Sequence, residues 1–242
     1  FHVLCDQDDD GEHLDLWLTH GNGLDFLASN TINDVQWLTG QPFARWQLDR
    51  FIHADYAPLG RYRIAVDREQ VVDQTVISDL ERHWGAGVWS WDPRPTNPAD
   101  SPLFTSWLGF DPTLVSARLM RLYGDRPHRF LPPNTLPDRA FPPTLTAIDW
   151  RSATIAQAFD FPLGTTTLAN QFIPDPDDAT PGCGWVGVYL VSTKRRVEYW
   201  LFDAQRLARG PVARLGADGL PPERTIHHTW TATAPARTAT YH

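Results

Sequence analysis

The chain reads as all-β, and three features of the sequence predict it. Leu14-Asp15-Leu16-Trp17-Leu18-Thr19 and Arg61-Tyr62-Arg63-Ile64-Ala65-Val66-Asp67 alternate apolar and polar residues, the period of a strand with one buried face. Eleven Trp and 21 Pro against a single Met suit short, rigid strands joined by turns better than a helical bundle. Late in the chain, Trp185 to Val191, Val197 to Phe202 and Val212 to Leu215 follow one another across short connections, as three antiparallel strands would.

Taken in order, the first strand carries His2 and is joined as a hairpin to Leu14–Thr19 through Asp8-Asp9-Asp10-Gly11. Arg45 to Phe51 alternates and predicts a further strand, with Pro58-Leu59-Gly60 as the turn into Arg61–Asp67. Gln70 to Val76 is rich in β-branched residues and predicts another. Trp84 to Pro102 and Pro127 to Pro143 break the pattern with Gly, Pro and Asp and read as long loops. Leu114 to Tyr123 fits a short helix and a strand equally well. The late meander is of the kind that builds propeller blades, although no strict internal repeat accompanies it.

Composition bounds the function. A chain of 242 residues, 42% apolar and 21% charged, is read as one soluble domain spanning residues 1–242. A net charge of -8 with scattered Lys and Arg excludes a phosphate-binding face, so no nucleic-acid partner is expected. Cys5 and Cys183 have no metal or redox spacing and read as two free thiols. Absent signal and membrane-spanning patterns make the cytoplasm the expected location. Asp6 to Gly11 matches half a calcium loop, but Trp17 stands where the bidentate Glu belongs. Phosphate loops, nucleophile elbows and His-Glu-x-x-His helices are missing.

Two histidines stand out because each follows a bulky apolar residue: His2 after Phe1, and His227 after Ile226. A metal ligand often sits so, at the inner end of a strand. His13, His20, His53, His83 and His128 are expected to be surface residues.

Leu168-Ala169-Asn170-Gln171-Phe172-Ile173-Pro174, Gly184 to Val191, Tyr199-Trp200-Leu201-Phe202-Asp203-Ala204, Gly210-Pro211-Val212-Ala213 and Ile226-His227-His228-Thr229-Trp230 occur in that order. This succession resembles the C-terminal part of the carotenoid cleavage oxygenase family, which includes stilbene-cleaving enzymes. The opening, Phe1 to Asp8, is similar to the family's third histidine motif, and Arg61-Tyr62-Arg63-Ile64 to one of its strands. The resemblance implies part of a seven-bladed β-propeller with long Pro/Trp-rich loops and an axial Fe(II) held by four histidines. His2 would be the third ligand. His227 would be the fourth, its spacing to Trp230 fitting better than that of His228. It further implies O2 and a small apolar polyene or stilbene as substrates, one C=C bond being cleaved into two carbonyl products. Peripheral membrane contact and a partner chain completing the ring are compatible with it.

The chain also departs from that pattern. Nothing upstream of His2 supplies the first two ligands. Ala169 stands where a glutamate supporting a ligand histidine belongs, and neither Phe110-Asp111-Pro112 nor Asp160-Phe161-Pro162 matches the second such motif. The chain alone is therefore expected to bind Fe(II) weakly and to be inactive. Two other readings stay open: a degenerate relative that carries an apolar ligand, and an unrelated all-β domain that binds sugars through its Trp-rich loops.

Overall fold

A computed structural model describes residues 3–7 (backbone only), 11–20, 30–48, 55–85, 87–123, 130–132, 135–192 and 196–217, and every structural statement below concerns these. Twelve strands form three antiparallel four-stranded sheets, each made of consecutive strands. The first contains β1 (Val3–Gln7), β2 (His13–Thr19), β3 (Leu59–Ala65) and β4 (Gln70–Ile77). In the second are β5 (Val88–Ser90), β6 (Leu103–Trp107), β7 (Thr144–Asp149) and β8 (Thr154–Asp160). The third holds β9 (Thr165–Pro174), β10 (Gly184–Ser192), β11 (Val197–Asp203) and β12 (Pro211–Ala217). None of the three sheets closes on itself.

The all-β expectation holds, and so do its alternating segments. Cross-strand partners share a face, so the register decides what is buried. In the first sheet Trp17 pairs with Arg61 and Thr19 with Leu59, and Leu59 pairs onward with Ile77, setting Trp17, Thr19, Leu59 and Ile77 on one side. The late meander is a four-stranded sheet, because β9 joins β10 in register from Pro174↔Gly184 to Thr165↔Ser192.

Three expected features are corrected. Arg45–Leu48 is a short helix, α1, and not a strand; Gln47 is buried and its side-chain oxygen accepts the Ala44 N–H. Pro58-Leu59-Gly60 is no turn but the entry into β3. The ambiguous Leu114–Tyr123 stretch resolves into α2 (Ala117–Tyr123), started by Ser116, whose hydroxyl accepts the Leu119 N–H. The loop expected over Trp84–Pro102 contains β5, and Trp84 and Trp89 are both buried in it.

The second sheet lies in the middle. All five residues of β6 are buried, as are Thr144 to Ile148 of β7. Leu103, Trp107 and Ile148 face the first sheet, with Trp17, Leu59, Ile77, Trp89 and Trp150. Phe104, Leu145 and Ala147 face the third, with Phe172, Val186, Val188, Trp200 and Phe202. Each such ring or branched side chain stabilises the packing by roughly 1.5–3 kcal/mol relative to exposure. A third apolar cluster, made by Tyr56, Trp84, Phe110, Val115, Leu119, Met120, Leu136 and Phe141, joins α2 and its flanking loops to the sheets. Asp34 and Arg118 pin this cap through two hydrogen bonds, and the Arg118 bond holds the Asp34 carboxyl below its ordinary range.

Candidate functional site

Buried polar side chains occur along the faces that the first two sheets turn to each other, Thr19 in β2 and Thr105 in β6, and in the segment after β4, where His83 lies. Thr19 closes β2 on the same rung as Leu59 and Ile77. Just beyond it, the chain returns through Asp79 to His83 and Trp84. The turn is fixed by the Asp79 side chain accepting the Glu81 N–H and by the His83 N–H donating to the Asp79 carbonyl. The His83 carbonyl then accepts the Ala57 N–H, so this residue is held to the segment preceding β3.

His83 is 0% exposed. Its ring stacks on Trp107, centroids 4.3 Å apart and planes 24° apart, and lies 6.5 Å from Tyr56 at the same angle. Burial lowers its pKa from 6.5 to about 4, against the raising effects of the Asp79 carboxylate and the Ile77 main chain, and with Arg82 adding to the lowering. The ring is neutral at pH 7. Its Nδ1 lies 3.3 Å from the Asp79 N–H, which it accepts. The Nε2 is buried and has no partner among the described residues, and the same is true of the Thr19 and Thr105 hydroxyls and the Trp150 indole nitrogen.

This corrects the expectation that His83 is a surface residue. The residue follows Arg82 and precedes Trp84, so the pattern of a histidine directly after a bulky apolar residue, which marks His2 and His227, does not mark it. His13 and His20 are half-buried. His20 hydrogen-bonds the Tyr62 hydroxyl at 2.5 Å, and burial lowers its pKa. His53 and His128 lie outside the described residues, and so do both proposed ligands, His2 and His227.

Among the described residues, no group of three or more His, Cys, Asp or Glu could hold a metal. Ala169 is fully buried in β9, opposite Tyr189, and brings no carboxylate to the place where the resemblance expects one. Phe110 is a core residue bridged to Phe141, and Asp160 is engaged by Arg82 and Thr144. The described residues therefore do not by themselves fit an iron centre.

A second polar constellation lies at the other gap. Arg94, just after β5, donates to both oxygens of Asp92 and to the carbonyls of Asp175, Asp178, Thr180 and Cys183 in the β9–β10 loop. Burial alone would raise the Asp92 pKa, but the Arg94 contacts and the Gly182 N–H outweigh it and hold the carboxyl low. The guanidinium thus fills a loop lined with oxygens and staples the second sheet to the third. Cys183, in that loop, is a free thiol.

No protein-family profile matches the sequence, and no curated protein matches it. Solved structures do match. A Synechocystis apocarotenoid oxygenase in cobalt-substituted form superposes with a TM-score of 0.61 at 16% identity, over 96% of this chain and 39% of that one. A tryptophan-to-alanine mutant of the same enzyme gives the same figures. Pseudomonas brassicacearum lignostilbene dioxygenase superposes with a TM-score of 0.51 at 19% identity, over 90% of this chain and 38% of that one. The chain shares its fold with part of these oxygenases. It spans about two fifths of their length. No helix among the described residues is long and apolar enough to cross a membrane.

Proposed function

We propose that this chain is part of an oxygenase of the carotenoid- and stilbene-cleaving kind, its three sheets being blades of a seven-bladed propeller. The observation that carries this reading is the superposition over 96% of the chain on an apocarotenoid oxygenase, with the sheets made of consecutive strands. In this reading residues 1–242 act as one unit of the ring, and the rest of the ring comes from a longer polypeptide or a partner chain. His2 and His227 would supply two of the imidazoles for Fe(II). Bound iron would supply the activation of O2 for cleavage of one C=C bond. The chain's own part is to bind a flat apolar polyene or stilbene between indole-rich walls and to keep water away from it.

The experiment is the Fe(II) content and affinity of this chain and of the longest form its coding sequence permits. The long form is expected to bind one iron per chain and to lose it on His227→Ala, while the 242-residue chain binds iron weakly. A tight stoichiometric site in the short chain would contradict the incomplete-ring reading. Absence of iron from both forms would favour a carrier of apolar ligands without chemistry, the reading that Ala169 motivates. Sugar binding that survives mutation of both histidines would support neither.

A further inference from the structure

The cradle around Arg94 has a shape of its own. We infer that the β9–β10 loop and Asp92 form a binding site for a planar guanidinium cation, filled here by the Arg94 side chain and open to a free guanidinium ion once that side chain is removed. The site uses none of the proposed iron ligands and is independent of the oxygenase reading.

Three observations lead there. The acceptors match the cation nitrogen by nitrogen. Nη1 donates to the Asp175 and Asp178 carbonyls at 3.1 and 2.6 Å, and Nη2 to the Thr180 and Cys183 carbonyls at 3.3 and 2.6 Å. Nε and Nη2 also reach the two oxygens of the Asp92 carboxylate, at 2.9 and 2.8 Å. A metal ion such as calcium instead draws its oxygens to about 2.3–2.6 Å from a single centre, and an ammonium ion lacks the flat fork that reaches separate oxygens. Second, the loop is folded by bonds in which the Arg94 side chain takes no part. The Cys183 carbonyl accepts the Asp175 N–H and the Thr180 carbonyl the Cys183 N–H, while the Asp175 and Asp178 side chains accept the N–H groups of Asp177 and Thr180. Gly182 turns the chain at a φ of +75°, donates its N–H to Asp92 and accepts the Gln205 side chain at its carbonyl. With the tether gone, these bonds would keep the four carbonyls turned to the same place. Third, the Asp92 side chain is 0% exposed but that of Arg94 is 27% exposed, so a buried anion in need of a countercharge would face an opening to water.

The test is chemical rescue of Arg94→Ala in the full chain. Its thermal midpoint is followed against guanidinium, sodium, ammonium and calcium chlorides at millimolar concentrations and equal ionic strength. Guanidinium is expected to raise the midpoint with a saturating dose response, the folded-to-unfolded ratio gaining about tenfold at ten times the dissociation constant. The unsubstituted chain, whose site is filled, is expected to show no such gain. Adding Asp92→Asn to Arg94→Ala is expected to abolish the rescue. An equal or larger gain with any of the other three cations, or no gain with guanidinium, would overturn the inference. If Arg94→Ala does not fold unaided, refolding in guanidinium against sodium chloride decides in the same way: recovery with guanidinium alone supports the site, and recovery in both or in neither overturns it.

Discussion

Between the first and second sheets the core is tryptophan, and it borders unpartnered polar atoms; between the second and third it is mostly phenylalanine, and a buried ion pair staples it. Trp17 and Trp150 meet edge-on at 5.2 Å in the first gap, and the His83 ring stacks on Trp107 of the same cluster. In the second gap Phe104 stacks on Phe172, and Phe159, Phe161, Phe202 and Trp200 pack as one group. Both gaps hold buried side-chain atoms without a partner among the described residues: those of Thr19, Thr105 and His83 at the first, and of Ser90, Ser106 and Asn170 at the second. What separates the two is the fastening. The second is tied across its edge by the Arg94 network, whereas the first is held by ring packing.

Breaking the staple is expected to have the largest effect. Arg94→Ala removes the countercharge of the Asp92 carboxylate, which is 0% exposed and keeps only the main-chain N–H groups of residues 94 and 182, and frees four carbonyls. A loss of about 3–5 kcal/mol in chemical denaturation is expected. A loss below about 1 kcal/mol would mean that the two gaps do not differ in this way. Leu145→Ala, in the phenylalanine gap, should follow with about 2–5 kcal/mol, the range for a cavity in a core that cannot collapse.

Acid should act on the tryptophan gap. His83 titrates near 4 in the folded state and near 6.5 when unfolded, so below 6.5 the unfolded chain takes up the proton first. Stability therefore falls as pH drops from 6.5 towards 4, by up to about 3 kcal/mol from this residue, and the contribution is absent above 6.5. The difference in unfolding free energy between the parent and His83→Phe isolates it: the gap between the two should widen with acid and vanish at neutral pH apart from a constant. That constant is small. Removing the unpartnered Nε2 relieves a cost, while the Asp79 N–H loses its acceptor Nδ1, so stability at pH 7 should change by less than about 1 kcal/mol. The smallest effect belongs to the surface: Glu81→Gln breaks the exposed pair with Arg139 and should cost under about 0.5 kcal/mol.

Much of the fold was legible because half-buried strands announce themselves. Leu14–Thr19 and Arg61–Ala65 alternate, Gln70–Val76 is rich in β-branched residues, and each lies in a strand of the first sheet. The central sheet was hidden for the opposite reason. Leu103-Phe104-Thr105-Ser106-Trp107 is buried on both faces, so it has no alternation to read. Arg45–Leu48 shows the converse error, since its alternation belongs to a single helical turn. Of the candidate site, His2 and His227 are marked by the apolar residue before each and lie outside the described residues, whereas His83 follows Arg82 and its burial comes only from long-range packing.

What the sequence by itself determined is the local chemistry: an all-β chain, strands where period two runs, thiols without metal spacing, and too few clustered cations for nucleic acid. Tertiary structure alone decided which polar residues are buried and with whom. Arg94 and the carbonyls of Asp175 to Cys183 are some eighty residues apart or more and become one cluster only when the second sheet packs on the third. His83 and Trp107 lie on different segments and stack only because β6 is enclosed between its neighbours. Burial is a property of long-range packing, and it is packing that turns an ordinary histidine into a neutral core ring and an ordinary arginine into a staple.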